Sequence, residues 1–165
     1  MTRRSFESGR GRPDGGFSLL ELLVVMLIMG VTVGIGVVGY RTYAENTAAR
    51  RAAEVFAMDL SLARSAAVRE RRPVTVEFDE ANLVYRIETS EGRLVRMRDF
   101  SAGGEIRLGS IALVDPGGGA IEFSPRGHVD LSGTGGGLGI ARFEAGGGRY
   151  QVTFNALGTS RVESF

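Results

Sequence analysis

The pattern of apolar and polar positions divides the chain into three kinds of segment. Residues 17–40 form one apolar run whose only charged residue is Glu21. As a helix, this run is about 36 Å long, enough to cross a hydrocarbon core of about 30 Å with some tilt. Apolar residues then recur at helical spacing over 41–72, and from residue 73 they alternate with polar ones. The pattern predicts a transmembrane helix, an amphipathic helix and a β-rich domain, in that order.

The apolar face of the 41–72 helix consists of residues spaced four and three apart: Ala52, Phe56, Leu60, Ala63 and Ala67. Charged side chains fall mostly on the other face, which is typical of a helix that packs on a globular domain. Pro73 ends the helix, because the residue before a proline disfavours the α conformation. We therefore expect one long helix, with its first half in the membrane and its second half packed on the following domain.

Period-two alternation predicts many short strands after Pro73. The first three, at 74–78, 83–87 and 94–97, are joined by short turns at 79–82 and 90–92 and form a β-meander. Further strands are expected at 106–108, 111–114, 120–123, 128–131, 139–143, 150–154 and 160–163. Glycine-rich separators supply positive φ values for turns, and they follow no fixed period that would indicate a repeat protein.

Residues 1–16 differ from everything that follows. They contain four Arg, two acidic residues and Pro13, with no hydrophobic periodicity, which predicts a disordered basic leader. The positive-inside rule places this end in the cytoplasm and the C-terminal domain outside. Over the whole chain, 20 basic and 19 acidic residues give a net charge of +1, so bulk attraction to nucleic acid is not expected. The absence of Cys excludes a disulfide framework, a thiol nucleophile and a thiolate metal site.

Two ordinary explanations of the 17–40 run leave features unexplained. A secretory signal peptide has a shorter apolar region and a small-x-small cleavage site, whereas this run is long and offers only 42–44 as a poor candidate site. A single-pass anchor accounts for the length but gives no reason for Gly15 and Gly16 before the run, or for Glu21 within it.

A third explanation fits the whole segment. The stretch Gly16-Phe17-Ser18-Leu19-Leu20-Glu21, after a basic leader and before an apolar helix, resembles the class III signal of type IV pilins and type II secretion pseudopilins. The resemblance implies cleavage between Gly16 and Phe17 by a prepilin peptidase, followed by N-methylation of Phe17. It also implies that the apolar helix is retained and packs in the core of a filament.

The chemistry of these residues agrees with that role. Gly16 has no side chain, so the backbone at the scissile bond can lie close to the protease. Between neighbouring subunits, the Glu21 carboxylate and the new ammonium of Phe17 would pair two charges that lipid leaves without partners. The alternative is that Glu21 snorkels to the membrane interface, because it lies about 6 Å from the helix start.

Glycines within the apolar run suggest two further sites. Gly30 and Gly34 form a small-xxx-small pair, which lets another helix approach closely, although they could instead only lower helix stability. Residues 34–39 also match G-x-G-x-x-G. A dinucleotide site is not expected there, because that fingerprint needs a preceding strand and an acidic residue about 20 positions later.

Two segments of the β-rich half narrow the resemblance. Ile121-Glu122-Phe123-Ser124-Pro125-Arg126-Gly127 and the stretch 151–162 resemble the GspH/FimT group of minor pseudopilins. Members of that group cap or initiate the pseudopilus, or serve as minor pilins in pilus biogenesis and DNA uptake. The DNA-binding branch carries Gly-Arg-x-Arg near its C-terminus, where this chain has Gly158-Thr159-Ser160-Arg161. Arg161 is therefore the one candidate DNA contact.

Enzyme chemistry finds little support in the sequence. His128 is the single histidine, and on a strand beside Gly127 it is typical of a surface or turn residue. Glu77, Asp79 and Glu80 could form a carboxylate pair or a cation site, but alternating exposed charges before a turn are commoner. We expect no catalytic residues, no metal and no cofactor.

The sequence thus predicts an α+β, pilin-like fold, in which a long N-terminal helix packs on a C-terminal antiparallel β-sheet or β-sandwich domain. Its expected parts are a cleaved leader at 1–16, a transmembrane and filament-core helix at 17–40, an amphipathic periplasmic helix at 41–72 and a GspH/FimT-like domain at 73–165. The protein would be a single-pass inner-membrane protein of bacteria, with a cytoplasmic N-terminus and a periplasmic domain, later extracted into a pseudopilus.

The implied function is that of a minor pseudopilin in type II secretion, at the tip or in the initiation complex. The alternative is a minor type IV pilin for pilus biogenesis or DNA uptake. Implied partners are the prepilin peptidase and N-methyltransferase, other major and minor pseudopilins, the inner-membrane assembly platform and the secreted substrate. Nucleic acid is a partner only in the alternative.

Overall fold

The computed structural model describes residues 18–116, 119–131, 134 and 136–165, without the side chains of 35–39 and 41–42. Its elements are α1 (Leu19–Glu70), β1 (Val74–Asp79), β2 (Val84–Thr89), β3 (Leu94–Asp99), β4 (Ser110–Asp115), β5 (Ala120–Phe123), β6 (Leu138–Ala145), β7 (Gly148–Asn155) and β8 (Ser160–Ser164). Contacts within the chain divide it into two units, Met1–Val38 and Gly39–Phe165. The predicted α+β fold, with a long N-terminal helix and antiparallel β-structure, is confirmed.

The second unit contains two antiparallel sheets of four strands each. One sheet has the order β3-β2-β1-β5, and the other has the order β4-β6-β7-β8. The predicted meander of β1, β2 and β3 is confirmed, and β1 also pairs with β5. In the other sheet, β6 and β7 pair along their whole length and β8 is an edge strand.

The amphipathic part of α1 supplies one wall of the core. All five residues of the predicted apolar stripe are fully buried: Ala52, Phe56, Leu60, Ala63 and Ala67. The Phe56 ring lies 5.3 Å from Phe78 of β1, 5.4 Å from Tyr85 of β2 and 5.3 Å from Phe143 of β6, measured between centroids. One helix side chain therefore contacts both sheets, and small alanines on the same face allow the helix to approach them closely.

The helix ends two residues before the boundary that Pro73 predicted. Arg71 has a φ of 54°, and the Arg72 N–H donates a 3.2 Å hydrogen bond to the Ala67 carbonyl. This is the left-handed Schellman termination, which satisfies a carbonyl of the last turn. The last helical residue is therefore Glu70, and Pro73 begins the extended segment that leads into β1.

Two predicted strands are absent from the described residues of the second unit. Within 106–108, the Leu108 N–H bonds to the Phe100 carbonyl, outside any ladder. Within 128–131, Val129 forms only an isolated bridge with Phe123, and its N–H donates to the Ala156 carbonyl. Both segments alternate in burial as strands do, but their backbone groups bond to separate parts of the chain, so no continuous pairing develops.

Candidate assembly and binding sites

The first turn of α1 is capped by a side chain that the sequence analysis overlooked. Ser18 Oγ accepts a 3.2 Å hydrogen bond from the Glu21 N–H, and the Ser18 carbonyl accepts the first helical bond from Leu22. Glu21 thus occupies the third helical position of a Ser-x-x-Glu pattern, where a carboxylate also interacts favourably with the helix dipole. The four-residue pattern was the available signal for this cap. Gly16 and Phe17, the predicted processing residues, lie outside the described residues.

The first unit leaves its apolar side chains exposed. Their exposed fractions run from 46% at Val24 and Val25 to 82% at Leu19. Glu21 is exposed on the same stretch. Within the part of the chain that the structure describes, no helix combines the length and apolar character needed to cross a membrane. An isolated soluble protein rarely presents so much contiguous apolar surface.

Gly30 and Gly34 pack against no other part of the chain that the structure describes. A Cβ built at either residue would have no other atom within 4 Å. The absence of a side chain at these two positions is therefore not required by the described contacts. It leaves a smooth strip of helix surface, of the kind that lets a second helix pack closely.

The first GspH/FimT-like segment forms a tight turn that lies on α1. Gly127 has a φ of +77°, and its N–H donates to the Ser124 carbonyl at 2.8 Å. A Cβ at Gly127 would lie 2.9 Å from Val68 Cγ2 and 3.2 Å from Arg64 Nε. Glycine is needed here both for the backbone conformation and for the close approach of the turn to the helix.

The second segment forms the turn between β7 and β8. The Asn155 side chain accepts hydrogen bonds from the Leu157 and Thr159 N–H groups at 3.0 and 3.1 Å. Gly158 has a φ of +70°, and a Cβ there would lie 2.9 Å from Phe123 and 3.8 Å from Arg64. Both motif glycines therefore lie against Arg64 of α1.

Arg161 lies on the edge strand β8, opposite Thr153 of β7. Its side chain is 79% exposed, and its Nη1 is 3.6 Å from Glu163 Oε1. A carboxylate two residues away partly offsets the charge that a nucleic acid phosphate would meet. One exposed arginine supplies at most one phosphate contact, which is a small part of a typical nucleic acid interface.

The buried charged cluster of the domain is structural. Asp59 of α1 accepts hydrogen bonds from the Tyr85 hydroxyl at 2.7 Å and from Arg98 Nε at 2.8 Å. Burial, and then the Asp59 carboxylate, raise the pKa of the Tyr85 hydroxyl far above its usual value. The hydrogen bond that Arg98 donates to Asp59 raises the pKa of Arg98. The three side chains tie α1 to β2 and β3.

Two of the three acidic residues considered as a carboxylate pair or cation site accept hydrogen bonds from other parts of the chain. Asp79 accepts hydrogen bonds from the Asn82 side chain at 2.7 Å and from the Asn82 N–H at 3.1 Å, which lower the pKa of Asp79. Glu80 Oε1 accepts from the Leu113 N–H at 3.0 Å. Among the described residues, no three His, Asp or Glu side chains are grouped so that they could hold a metal ion.

His128 lies in the turn that begins at Ser124. Its N–H donates to Ser124 Oγ at 3.2 Å, and its carbonyl accepts from the Ser124 N–H at 2.9 Å. The imidazole is exposed. Its backbone, rather than its ring, therefore accounts for its place in the turn.

Comparisons with known proteins agree with this geometry. The model of the family described as Type II transport protein GspH matches residues 52–158, and that of the prokaryotic N-terminal methylation motif matches residues 11–37. No curated protein sequence matches the chain significantly.

Two crystal structures of the type IV minor pilin FimU from Pseudomonas aeruginosa are similar in fold. The first has a TM-score of 0.53 and 19% identity, covering 70% of this chain and 87% of FimU. The second has a TM-score of 0.51 and 20% identity, covering 68% of this chain and 90% of FimU. At this level of identity, the likeness shows a shared pilin-like fold.

Proposed function

The chain belongs to the GspH family of type II transport proteins, and on that premise we propose that it is a minor pseudopilin, a structural subunit of the type II secretion pseudopilus. The observation that carries the proposal is the presence, in one chain, of an N-terminal methylation motif and a GspH domain. The subunit would act at the tip or in the initiation complex of the filament, and so serve protein export across the outer membrane.

Processing is the first step of the proposed mechanism. A prepilin peptidase would cut between Gly16 and Phe17, and its N-methyltransferase activity would methylate the new amine of Phe17. Mass spectrometry of the protein from cells that contain the peptidase is expected to find a chain beginning at methylated Phe17. Gly16→Leu is the matched variant and should remain uncleaved. A native chain that begins at Met1, or after Ala44, would contradict the processing step.

The membrane is the proposed starting compartment. The methylation motif and the apolar residues from Leu19 onward support insertion as a single-pass inner-membrane protein, with the leader in the cytoplasm and the β-rich domain in the periplasm. The assembly platform would then move the subunit into the filament. There, the exposed apolar side chains would pack against helices of other major and minor pseudopilins, with Gly30 and Gly34 as points of close approach.

Glu21 has two proposed contributions that an experiment can separate. It would pair with the Phe17 amine of a neighbouring subunit, and it also lies in the capped first turn of its own helix. Glu21→Gln removes the charge but keeps a side chain suited to the capping pattern, whereas Ser18→Ala removes the cap and keeps the charge. We expect Glu21→Gln to impair incorporation into filaments and Ser18→Ala to retain it. The opposite result would assign Glu21 to capping alone.

A second candidate function is that of a minor type IV pilin, because the fold is similar to that of FimU, a type IV minor pilin. The two functions differ in phenotype. Deletion of the gene is expected to abolish secretion of the system's substrate while pili and DNA uptake persist. Loss of pili with normal secretion would favour the second candidate. If the full chain retards DNA in a gel and the variant Arg161→Ala does not, the protein also has a role in DNA uptake.

A further inference from the structure

An open groove of about 690 Å³ lies between α1 and the turn that joins β7 to β8. Its polar lining comes from both elements: Ser61, Arg64, Ser65, Arg69, Thr159 and Ser160. Among the described residues, no acidic side chain lines the groove, although the chain as a whole carries nearly equal numbers of acidic and basic residues. The groove therefore has a local positive charge.

Arg64 is half-buried in the lining of this groove and lies close to the glycines of both motif turns. Among the residues that the structure describes, it makes no ion pair and no hydrogen bond. Arg69 is the second cation of the groove, and its Nη2 lies 3.7 Å from Glu70 Oε1. The Glu70 carboxylate is also bound by Arg93. A partly desolvated guanidinium without a carboxylate partner is a strong attractor for an anionic group.

The hydroxyl groups of the groove indicate which kind of anion fits. Ser65 Oγ donates its proton to the Ser61 carbonyl at 2.8 Å, and Ser61 Oγ donates to the Ala57 carbonyl at 3.4 Å. In this arrangement both oxygens present acceptor lone pairs to a ligand. A phosphodiester offers oxygens alone, so it would leave these two acceptors without a donor and could be bound only by the arginines and by the Thr159 and Ser160 hydroxyls. A peptide offers N–H donors for the serines and, if acidic, a carboxylate for Arg64.

The turn between β7 and β8 is also unsuited to holding a phosphate through its backbone. The Leu157 and Thr159 N–H groups are bound by the Asn155 side chain, and the Gly158 N–H by the Asn155 carbonyl. No N–H group of these three residues remains to form an anion-binding loop. Anion recognition in the groove therefore depends on the arginine side chains.

β8 supplies a surface that continues from the groove. It begins at Ser160, which lines the groove, and it is the last strand in the order β4-β6-β7-β8. A free strand edge can pair with an extended peptide through main-chain hydrogen bonds. We propose that the groove and the β8 edge bind an extended acidic segment of a neighbouring protein, with its carboxylate on Arg64. This inference rests on the groove and the β8 edge, and it applies to a filament subunit of either system.

The test is fluorescence anisotropy with the full-length chain in detergent micelles. The probes are a labelled short peptide of alternating Thr and Glu, the same peptide with Gln in place of Glu, and an oligodeoxythymidylate of equal charge. Variants Arg64→Gln and Arg96→Gln remove one charge each, and Arg96 is exposed on β3, away from the groove lining. The thermal unfolding midpoint of each variant checks that the domain is folded.

We expect the Glu peptide to bind and the Gln peptide to bind at least tenfold more weakly. Arg64→Gln should weaken binding of the Glu peptide by about tenfold or more, because it removes a charge-assisted hydrogen bond. Arg96→Gln should leave the affinity unchanged within about twofold, because exposed charges contribute little. The proposal is overturned if the Glu peptide does not bind, if both variants weaken it equally, or if the oligonucleotide binds through Arg64 and displaces the peptide.

Discussion

Two stretches of α1 both contain large apolar side chains but differ in the exposure of those side chains. Large apolar side chains between Leu19 and Val33 are 46–82% exposed, whereas Phe56 and Leu60 are fully buried. The buried stretch is completed by the two sheets of its own unit. Among the described residues, nothing packs against the exposed stretch, which is the surface that the proposed function assigns to lipid and to other subunits. Apolar character alone therefore does not tell which residues stabilise the monomer and which serve assembly.

The sharpest test of this contrast is the replacement of one apolar side chain in each stretch. Phe56→Ala should lower the free energy of unfolding by about 3–5 kcal/mol, because the ring is fully buried between both sheets. Met26→Ala, at a side chain that is 67% exposed, should change it by less than about 0.5 kcal/mol. Urea unfolding of the full chain in detergent, followed by circular dichroism, measures both. Equal losses of unfolding free energy in the two variants would show that both side chains contribute equally to the stability of the monomer.

Each stretch also contains a carboxylate that can be compared, exposed Glu21 in the first and buried Asp59 in the second. Asp59→Ala removes a buried acceptor from Tyr85 and Arg98, and should cost about 2–3 kcal/mol of unfolding free energy. The cost stays below that of a fully buried pair, because the Arg98 side chain is 33% exposed and water can reach it. Asp59→Asn keeps an acceptor and should cost less. Glu21→Ala is the control and should leave urea unfolding of the domain unchanged.

The sequence was sufficient for features that depend on local periodicity. The stripe from Ala52 to Ala67 was predicted in full, and the meander of β1 to β3 was correct, because burial of one face imposes its period on the residues. The Asp59 cluster was missed. Asp59 falls on the apolar face three residues after Phe56, which marks it as unusual, but its partners are 26 and 39 residues away and no local pattern identifies them.

The remaining differences also arise from contacts distant in sequence. The segment 128–131 alternates like a strand, yet its Val129 N–H bonds to Ala156 near the next hairpin turn. Arg64 is approached by Gly127 and Gly158, which reach this one helix residue from two separate turns. The two segments that resemble the GspH/FimT group contain these turns, but only the folded chain shows that both turns lie close to Arg64. The cap at Ser18, in contrast, is a local pattern and could have been recognised.

One glycine of the exposed stretch and one glycine of β6 provide a smaller test. A Cβ at Gly139 of β6 would overlap the Phe154 ring, so Gly139→Ala should cost about 1–3 kcal/mol of unfolding free energy. A Cβ at Gly30 meets nothing within 4 Å, so Gly30→Ala should raise helix stability by up to about 1 kcal/mol. Urea unfolding gives the first value and helical circular dichroism during heating the second. If Gly30 also packs against other subunits, its variant should assemble poorly despite greater stability.

The smallest expected effect concerns a surface carboxylate of the second unit and its dependence on pH. Hydrogen bonds from the Asn82 side chain and N–H hold the pKa of Asp79 below its ordinary value of about 4 in the folded chain. The resulting stabilisation is fully present above the unfolded pKa and is lost as the pH falls through the folded pKa. Wild type should therefore exceed Asp79→Ala in unfolding free energy at neutral pH, and the difference should shrink as the solution is acidified below about pH 4. Glu122→Ala, at an exposed position on the same sheet, is the control, and its difference from wild type should not shrink as the pH falls. If the difference between wild type and Asp79→Ala is independent of pH, the carboxylate charge does not stabilise the β1–β2 turn.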